Sequence, residues 1–519
     1  MPRPEATLSP PGPPATNAGT RASVRRTSGA AALARRHWLF LVLFAAGAVL
    51  RAMASLGYRP ALLFYGDSYY YLHNAHRLIP NGLRPAAYPA LLKVLLALGG
   101  GHLAVVPAFQ HLLGLALGVL AYAVLRRLGL PAWLAALGAA PLLLDTYLID
   151  LEQYVMAETM FDVLVGTAFA LLVWWRRPPV TVVATAGLLL ALATLARTVG
   201  IVLIAPALLF VLGTRLGGAR AVALVVAFAL PIGLYAGWFH HYHRRYTITS
   251  FDGHFLYGRV VDFATCQGLA IPAYERMLCP AMPPADRPGP NWYVWNAASP
   301  ASHVRPPKGI TRDRALLQFS LAVLRHQPLT FARVVGADFL HLLAPGHRTG
   351  RWQEPVRMWQ FGLSVPDQRR AALRAQRRFG PPVPPTTRID RPVAQALIAY
   401  QRAGYTPGPL LALCIALGLG AGAVGLRRAA PRRLRAEVLL YTLSGAGLAL
   451  TAMATSMFDY RYLLPSIPLL APAGALGAWI LALRIAGRRA AGGGGPEPVA
   501  ASAAPEEPSP SLGAPVVGA

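Results

Sequence analysis

The sequence predicts an all-α polytopic membrane protein with about 10 transmembrane helices, additional interfacial helices and one large polar segment. Of its 519 residues, 55% are hydrophobic and 13% are charged, whereas a soluble domain usually carries about 25% charged residues. Apolar runs of about 20 residues, the length that crosses a bilayer core, recur along the chain. Pairs and clusters of arginine follow or separate many of these runs.

The arginine clusters orient the runs, because loops on the cytoplasmic side of a membrane are enriched in Lys and Arg. Placing every cluster in the cytoplasm gives a consistent path with both termini on that side. The predicted spans are 38–56, 103–125, 130–146, 159–175, 180–196, 199–213, 221–239, 408–426, 437–457 and 463–483. The apolar run 88–98 is too short to span and predicts an interfacial or re-entrant helix.

This path divides the chain into five parts. They are a disordered cytoplasmic N-terminus (1–36), a transmembrane core (37–239) with a first outer loop at 57–102, an extracytoplasmic segment (240–406), C-terminal transmembrane helices (407–485) and a disordered cytoplasmic tail (486–519). The composition of the two ends, rich in Pro, Ala, Gly and Ser, predicts their disorder. The segment 240–406 contains two amphipathic helices, broken at Gln327-Pro328, which we expect on or near the outer leaflet.

The net charge is +28 and comes almost entirely from arginine. In a membrane chain, such an excess favours topology and anionic lipid phosphates as its cause over nucleic acid as a partner. The preference for arginine over lysine, together with the Ala- and Pro-rich ends, indicates a bacterium with a GC-rich genome.

The topology also predicts where the membrane-proximal acids lie, although no acid was used to derive it. The polar groups that fall on the outer side are Asp67, Asp145, Asp150, Glu152, Glu158, Arg197, Asp459 and Arg461. The interiors of the spans are nearly free of charge in the sequence. Because the positive-inside rule concerns basic residues, this gathering of acids indicates a functional outer face and favours surface chemistry over alternating access.

Two of these acids are candidates for chemistry. Asp67 lies in the first outer loop, after the first apolar run. It is either an N-cap for a helix over 68–79 or a group that binds substrate, since an acid at a membrane surface is retained more readily when it binds something. Glu158 opens the fourth span, where the helix dipole by itself favours a carboxylate. Structural and chemical roles stay open for both.

Two of the arginines are candidates for binding phosphate. Arg197 lies at the junction of two apolar runs and either snorkels to the interface or ligates phosphate, which a guanidinium group does in a bidentate way. Arg461 lies in a short loop and either pairs with Asp459 or serves as a second phosphate ligand. Arg244 and Arg245 are held in reserve for the same role.

Cysteine and histidine spacing gives no metal site. No CxxC or His-rich pattern occurs, so no metal or other cofactor is indicated. The cluster His240, His241 and His243 ends a span and is more typical of an interface than of a metal site. Cys266 and Cys279 lie in the extracytoplasmic segment, where an oxidising environment predicts a disulfide between them; two free thiols are the alternative.

Several short motifs occur in an order that resembles the GT-C-fold glycosyltransferases. These are polyprenyl-phosphate-sugar-dependent enzymes related to protein O-mannosyltransferases and the lipid A aminoarabinose transferase. The motifs are Gly66-Asp67-Ser68-Tyr69-Tyr70-Tyr71, Arg84-Pro85-Ala86-Ala87-Tyr88-Pro89, Gln153-Tyr154-Val155-Met156-Ala157-Glu158-Thr159, Arg197-Thr198-Val199-Gly200, His326-Gln327-Pro328 and Arg461-Tyr462-Leu463-Leu464-Pro465. The resemblance covers roughly residues 38–483. Many relatives have Asp-Glu in the first loop where this chain has Asp67-Ser68, and Thr198 replaces the proline of a common Arg-Pro-x-Gly.

The resemblance implies a membrane enzyme of the cell envelope that transfers a sugar, with inversion, from a polyprenyl-phosphate donor. The acceptor would be a hydroxyl of a glycan, lipid or protein at the outer face of the cell membrane. This reaction needs a base and positive charge beside the leaving phosphate. Asp67 is the expected base, Glu158 an orienting acid, and Arg197 and Arg461 the phosphate ligands. The expected substrate contacts are Tyr69, Tyr71, His73, Tyr88 and Tyr460.

Two other classes of function remain open from the sequence. One is a lipid or sugar transporter or flippase, which inverted repeats and midplane polar residues would indicate. The other is a non-catalytic membrane protein that binds lipid, because a single carboxylate stands in the first loop where two are common.

Overall fold

The structure, a computed structural model, describes residues 18–64, 66–347, 356–365, 370, 372, 373, 377, 386–424 and 432–492. The described residues are mostly helical. The helices are α1 Ala18–Gly57, α2 Asp67–Arg77, α3 Ala87–Leu98, α4 Val105–Arg127, α5 Ala132–Leu144, α6 Thr146–Gln153, α7 Glu158–Trp174, α8 Val180–Ala196, α9 Ile204–Gly213, α10 Gly218–His243, α11 Asp252–Val260, α12 Pro290–Trp295, α13 Pro300–His303, α14 Arg312–His326, α15 Pro328–Leu342, α16 Arg391–Gln401, α17 Gly408–Val424, α18 Arg432–Thr455 and α19 Ile467–Gly492.

Short elements connect these helices. The 3-10 turns are Thr198–Leu203, Ala273–Leu278, Pro284–Asp286, Val356–Trp359, Tyr460–Tyr462 and Leu464–Ser466. Two strands, β1 Tyr58–Arg59 and β2 Arg388–Ile389, pair antiparallel with Tyr58 opposite Ile389. The pair ties the chain that follows α1 to the residues that precede α16.

The helix lengths support a polytopic membrane protein. Among the described residues, five helices are long and apolar enough to cross a membrane, and the bent pair α5 and α6 makes a sixth span if it counts as one. The five are Ala34–Gly57, Val105–Arg127, Gly218–His243, Arg433–Thr455 and Tyr460–Ala486. Shorter apolar helices account for most of the remaining predicted spans, so each of the ten predicted spans overlaps a helix. The all-α membrane class predicted from the sequence is confirmed.

The ends of the chain lie largely outside this description. Residues 1–17 and 493–519, for which composition predicts disorder, are not among the described residues. Helix α1 begins at Ala18, within the stretch predicted to be disordered, and α19 continues to Gly492.

The bundle is held by close helix pairs that small residues permit. At Gly187 of α8, an added Cβ would lie 2.4 Å from the carbonyl oxygen of Leu224 in α10. At Gly477 of α19, it would lie 2.7 Å from the backbone of Leu417 in α17. Helices in a membrane associate through such close backbone approach, because lipid gives them no hydrophobic reason to pair.

A buried ion pair links α1 to α6 inside this bundle. The Arg51 guanidinium donates from Nε and Nη2 to both carboxylate oxygens of Glu152, at 2.8 and 2.7 Å. Nδ1 of His111 in α4 lies 2.8 Å from the same carboxylate. The helical core therefore holds more charge than the sequence alone indicates. Arg51, Glu152 and His111 compensate one another there, as buried charge requires.

The polar residues that follow α10 form a small domain of their own around α11 and α14. A disulfide joins Cys266 to Cys279 beside its core. The buried Arg259 side chain in α11 donates to Asp338 of α15 at 2.7 Å. Helix α14 ends at His326 and α15 begins at Pro328, whose ring cannot continue a helix from the residues before it.

We expect the buried pair of Arg51 and Glu152 to dominate the stability of the bundle. Glu152→Gln leaves the Arg51 charge buried without its partner, so the free energy of unfolding should fall by about 3–5 kcal/mol. The exposed pair of Arg59 and Asp390, 3.8 Å apart, provides the control. Asp390→Asn keeps a capping side chain for α16 and should change the same quantity by less than about 1 kcal/mol. Unfolding in detergent measures both variants, and equal losses would contradict the expectation.

Candidate active site

The site is organised around the guanidinium group of Arg461. Its Nη1 donates to Oδ2 of Asp67 at 2.8 Å, and its Nε lies 3.6 Å from Oε1 of Glu158. Asp67 is the first residue of α2 and Glu158 the first residue of α7, while Arg461 lies in the turn before α19. One cation therefore joins three parts of the chain that are far apart in sequence.

A second arginine, Arg84, binds the other side of the Asp67 carboxylate. Its Nε and Nη2 donate to Oδ1 at 3.1 and 2.9 Å. Burial alone would raise the pKa of Asp67, but the guanidiniums of Arg84 and Arg461 outweigh it and hold the pKa below its usual range. Burial by itself would lower the pKa of the Arg84 guanidinium, but the Asp67 carboxylate outweighs burial and raises that pKa. Asp67 is thus an ionised carboxylate, and Gly66, not Asp67, occupies the N-cap position of α2.

Glu158 forms an ion pair with Arg197 as well as lying near Arg461. Arg197 follows the last residue of α8, and the 3-10 turn Thr198–Leu203 begins directly after it. This turn folds back tightly, because a Cβ at Gly200 would lie 3.0 Å from the backbone of Thr194. The absence of a side chain at Gly200 therefore permits the turn that directs Arg197 toward Glu158.

Asp459 and Trp359 fix the position of Arg461. The Asp459 carboxylate accepts hydrogen bonds from the backbone N–H of Arg461 at 2.9 Å and from the indole N–H of Trp359 at 2.6 Å. The guanidinium carbon of Arg461 lies 4.8 Å from the centre of the Trp359 ring, within the range of a cation–π contact. The Asp459 carboxylate is farther from the Arg461 guanidinium, at 3.8 Å, so it positions the turn more than it neutralises the charge.

Four of these charged side chains line a cavity of about 420 Å³. Asp67, Arg84, Arg197 and Arg461 line it, together with Tyr71 and Asp252. The rest of its wall is mostly apolar or weakly polar and comes largely from α18, the 3-10 turn after α8, α11 and α14. Those residues are Val199, Ile201, Phe255, Leu256, Leu317, Leu448, Thr451, Ala452 and Thr455. Charged and apolar side chains thus line one space.

The other residues predicted to contact substrate lie at different places relative to the cavity. Tyr71 lines the cavity, and burial raises the pKa of its hydroxyl, so it is neutral. Tyr88 packs edge-to-face on Tyr71 at 4.9 Å and donates to Gln110 at 2.7 Å, behind the cavity wall. Tyr69 is packed into the core around α2 and α3, and the half-buried His73 is not part of the cavity wall.

Four further candidates also lie away from the cavity wall. Tyr460 lines a separate small cavity next to Tyr147 and His347. Arg244 and Arg245 follow α10, where Arg244 is exposed, and neither lines the cavity. Glu158 does not line it either, since it lies behind Arg197 and Arg461.

Sequence reasoning missed Arg84 and the contribution of the polar domain. Arg84 stands in the motif Arg84-Pro85-Ala86-Ala87-Tyr88-Pro89, and its place in that motif was the available signal. Asp252 and Phe255 had none, because nothing local to them distinguishes a cavity wall from any amphipathic helix. Among the described residues, no group of three His, Cys, Asp or Glu side chains is arranged to hold a metal ion.

Residues 98–246 match the sequence model of the family described as dolichyl-phosphate-mannose-protein mannosyltransferase. The resemblance to protein O-mannosyltransferases that the short motifs indicate is confirmed over these residues. The matched residues span α4 to α10, which include Glu158 and Arg197. No curated protein matches the chain.

The chain also has similarity to solved structures. It aligns with the protein O-mannosyltransferase Pmt1-Pmt2 complex of S. cerevisiae at 15% identity and a TM-score of 0.32, covering 43% of this chain and 36% of that one. For an oligosaccharyltransferase of Archaeoglobus fulgidus the identity is 11% and the TM-score 0.41, with 88% and 51% covered. For ArnT from Cupriavidus metallidurans they are 14% and 0.32, with 87% and 79% covered. The chain therefore spans about a third to a half of the first two proteins.

We expect Arg461 to matter more for stability than Arg84, although both bind Asp67. Arg461→Met leaves Asp67 with one cation and Glu158 with one, in a fully buried setting, and should lower the free energy of unfolding by about 3–5 kcal/mol. Arg84 has 24% of its side chain exposed, and Asp67 keeps Arg461 when Arg84 is removed. Arg84→Met should therefore cost clearly less in the same unfolding experiment. A larger loss for Arg84→Met would contradict the central place of Arg461.

Proposed function

We propose that this chain transfers a sugar, with inversion at the anomeric carbon, from a polyprenyl-phosphate donor to an acceptor hydroxyl at the outer face of the membrane. One observation carries the proposal. The cavity beside Asp67 is lined both by charged groups, three guanidiniums and two carboxylates, and by apolar side chains of α18 and α11. A lipid-linked phosphate is a ligand with the same two halves.

The arginines supply what the donor phosphate needs. Charge develops on the phosphate oxygens as the bond to the sugar breaks, and preorganised cations in a water-poor site stabilise it. Arg461 and Arg197 both line the cavity, and a guanidinium binds two phosphate oxygens at once. The lipid chain would lie along Leu448, Thr451 and Ala452 of α18, which face the same space.

Asp67 is proposed as the base that takes the proton of the acceptor hydroxyl. A carboxylate held by Arg84 and Arg461 is a weak base. A donor phosphate bound to Arg461 would offset part of that positive charge and make Asp67 more basic. In this scheme the acceptor oxygen bonds to the anomeric carbon, the bond to the phosphate breaks, and the proton passes to Asp67. Base activation is thereby coupled to donor binding.

Glu158 is proposed to position the two phosphate ligands and not to touch the substrate. It lies behind Arg197 and Arg461 and contacts both. The outer-face location is supported by the arginine clusters of the connecting loops, because cytoplasmic loops are enriched in Lys and Arg. The family match over residues 98–246 supports the reaction type.

Asp67→Asn tests the proposed base. The amide cannot take a proton, so the transfer rate should fall by about 10²–10⁴-fold, the usual contribution of a positioned base. The assay follows radiolabelled sugar from polyprenyl-phosphate donors to membrane acceptors, with purified protein in liposomes. Asp390→Asn, which removes an exposed carboxylate outside the cavity, is the matched control and should keep full activity. Full activity in Asp67→Asn, with the protein inserted in the membrane, would refute the role of Asp67.

Arg84→Ala tests the electrostatic control of that base. Arg84 and Arg461 hold the pKa of Asp67 below its usual range, so the carboxylate stays ionised until the pH falls below that range. Removing one nearby cation should raise this pKa by about 1–3 units. The acid limb of the pH–rate profile should therefore move to higher pH by a similar amount. Arg77→Ala, at the exposed end of α2, the helix that begins with Asp67, should leave the pH–rate profile unchanged. An unmoved acid limb in Arg84→Ala would contradict the coupling.

A further inference from the structure

Three aromatic rings are stacked beside the cavity, and the outermost is open to solvent. The ring of Phe251 lies parallel to the imidazole of His254, with centres 4.0 Å apart and planes at 17°. The indole of Trp295 stacks on Phe251 at 5.3 Å and 14°. Trp295 nevertheless remains 51% exposed. We call these three residues the aromatic shelf.

The base of the aromatic shelf is held rigidly by a close helix contact. At Gly253 in α11, an added Cβ would lie 2.0 Å from the carbonyl oxygen of Asp313 at the start of α14. This approach lets the Asp313 carboxylate accept from the backbone N–H of His254 at 3.1 Å and from its Nδ1–H at 2.9 Å. An ionised carboxylate only accepts hydrogen bonds, so the tautomer and the ring plane of His254 are both fixed.

The aromatic shelf is continuous with the cavity that holds Asp67. Phe255, one turn after Phe251 in α11, packs edge-to-face on Trp295 at 6.0 Å and lines the cavity. On its other side, Phe255 lies 5.8 Å from the guanidinium carbon of Arg84, which binds Asp67. The exposed Asp252 beside Phe251 also lines the cavity, and its carboxylate accepts from Thr249 at 2.8 Å.

We propose that the aromatic shelf binds a sugar ring of the acceptor, and therefore that the acceptor is a glycan. This inference rests on the proposed function, because it names the acceptor of the same reaction. One face of a sugar ring carries C–H groups with partial positive charge, which pack on the negative face of an aromatic ring. Sugar hydroxyls find an acceptor in the Asp252 carboxylate. The arrangement would hold one sugar unit on Trp295 while a neighbouring unit presents its hydroxyl toward Asp67.

The surroundings of the aromatic shelf favour a glycan over a membrane surface. Tryptophan is common at the membrane interface, but interfacial anchors lie among basic side chains that meet lipid phosphates. Here two carboxylates, Asp252 and Asp313, lie at the stack, and the cation Arg84 lies on the cavity side, against Phe255. The alternation of a flat apolar ring with a carboxylate is suited to a ligand that is apolar on one face and rich in hydroxyls at its rim.

The test is direct binding of oligosaccharides to the full chain in detergent micelles. The probes are manno-, gluco-, galacto- and arabino-oligosaccharides of two to six units. We expect the wild type to bind at least one series, and Trp295→Ala to raise its Kd by about tenfold, the loss of about one aromatic stacking contact. Trp295→Phe keeps a ring on the stack and should recover most of the affinity.

Controls separate this inference from the proposed function. Trp133→Ala removes a similarly exposed indole, 57% exposed at the start of α5, and should leave the Kd unchanged. Binding of undecaprenyl phosphate should be equal in the wild type and in Trp295→Ala. Absence of undecaprenyl phosphate binding in the wild type would refute the proposed donor, but it would not contradict oligosaccharide binding at the aromatic shelf.

Four results would overturn the role of the aromatic shelf itself. The first is a wild type that binds none of the oligosaccharides, and the second is an unchanged Kd in Trp295→Ala. The third is a Trp295→Ala variant that loses affinity for peptides and not for oligosaccharides. The fourth is a Trp295→Ala variant that loses thermal stability only in lipid nanodiscs. The third would make the acceptor a peptide, and the fourth would make Trp295 a membrane anchor. Thermal unfolding of Trp295→Ala in micelles verifies that the variant is folded.

Discussion

The contact between Arg461 and the carboxylates of Asp67 and Glu158 is the constraint on which the arrangement of the site depends. All three side chains are buried, so each charge requires the others to stay in place. Asp67 begins α2, Glu158 begins α7, and Arg461 precedes α19. Packing of the apolar helices brings these ends near one another, but only the charges determine their register to within a hydrogen bond.

The same contact explains why the neighbouring groups are polar. Asp459 and Trp359 fix the position of Arg461. On the cavity side, Arg84 pairs with the Asp67 carboxylate and Arg197 with the Glu158 carboxylate. The result is a set of cations that is already ordered before any ligand arrives. Ordering flexible arginine side chains is a large part of what binding an anion normally costs, so a preformed set favours a phosphate group over water.

The sequence predicts the helices well, because long apolar runs and arginine clusters are local signals. It also predicts that Asp67, Glu158, Arg197 and Arg461 share one face, through a topology derived without them. It does not predict which side chains touch. Asp67 and Arg461 are 394 positions apart, and no local pattern records such a pairing. The prediction for the tyrosines is less accurate for a related reason, since a tyrosine ring packs into a core as readily as it binds a ligand. Tyr69 therefore lies in the core, whereas Tyr71, two residues later, lines the cavity.

The strand pair of Tyr58–Arg59 with Arg388–Ile389 has a consequence for how the protein can vary. It fastens the chain after the polar domain to the end of α1, so both ends of that domain are anchored to the membrane bundle. Between fixed anchors, the entropy of closing a loop rises by only about 0.6 kcal/mol for each doubling of its length. Insertions and deletions in the exposed parts of this domain are therefore inexpensive and leave the helix register at Asp67 undisturbed. Under the proposed function, such an architecture lets the acceptor site vary while the donor site stays constant.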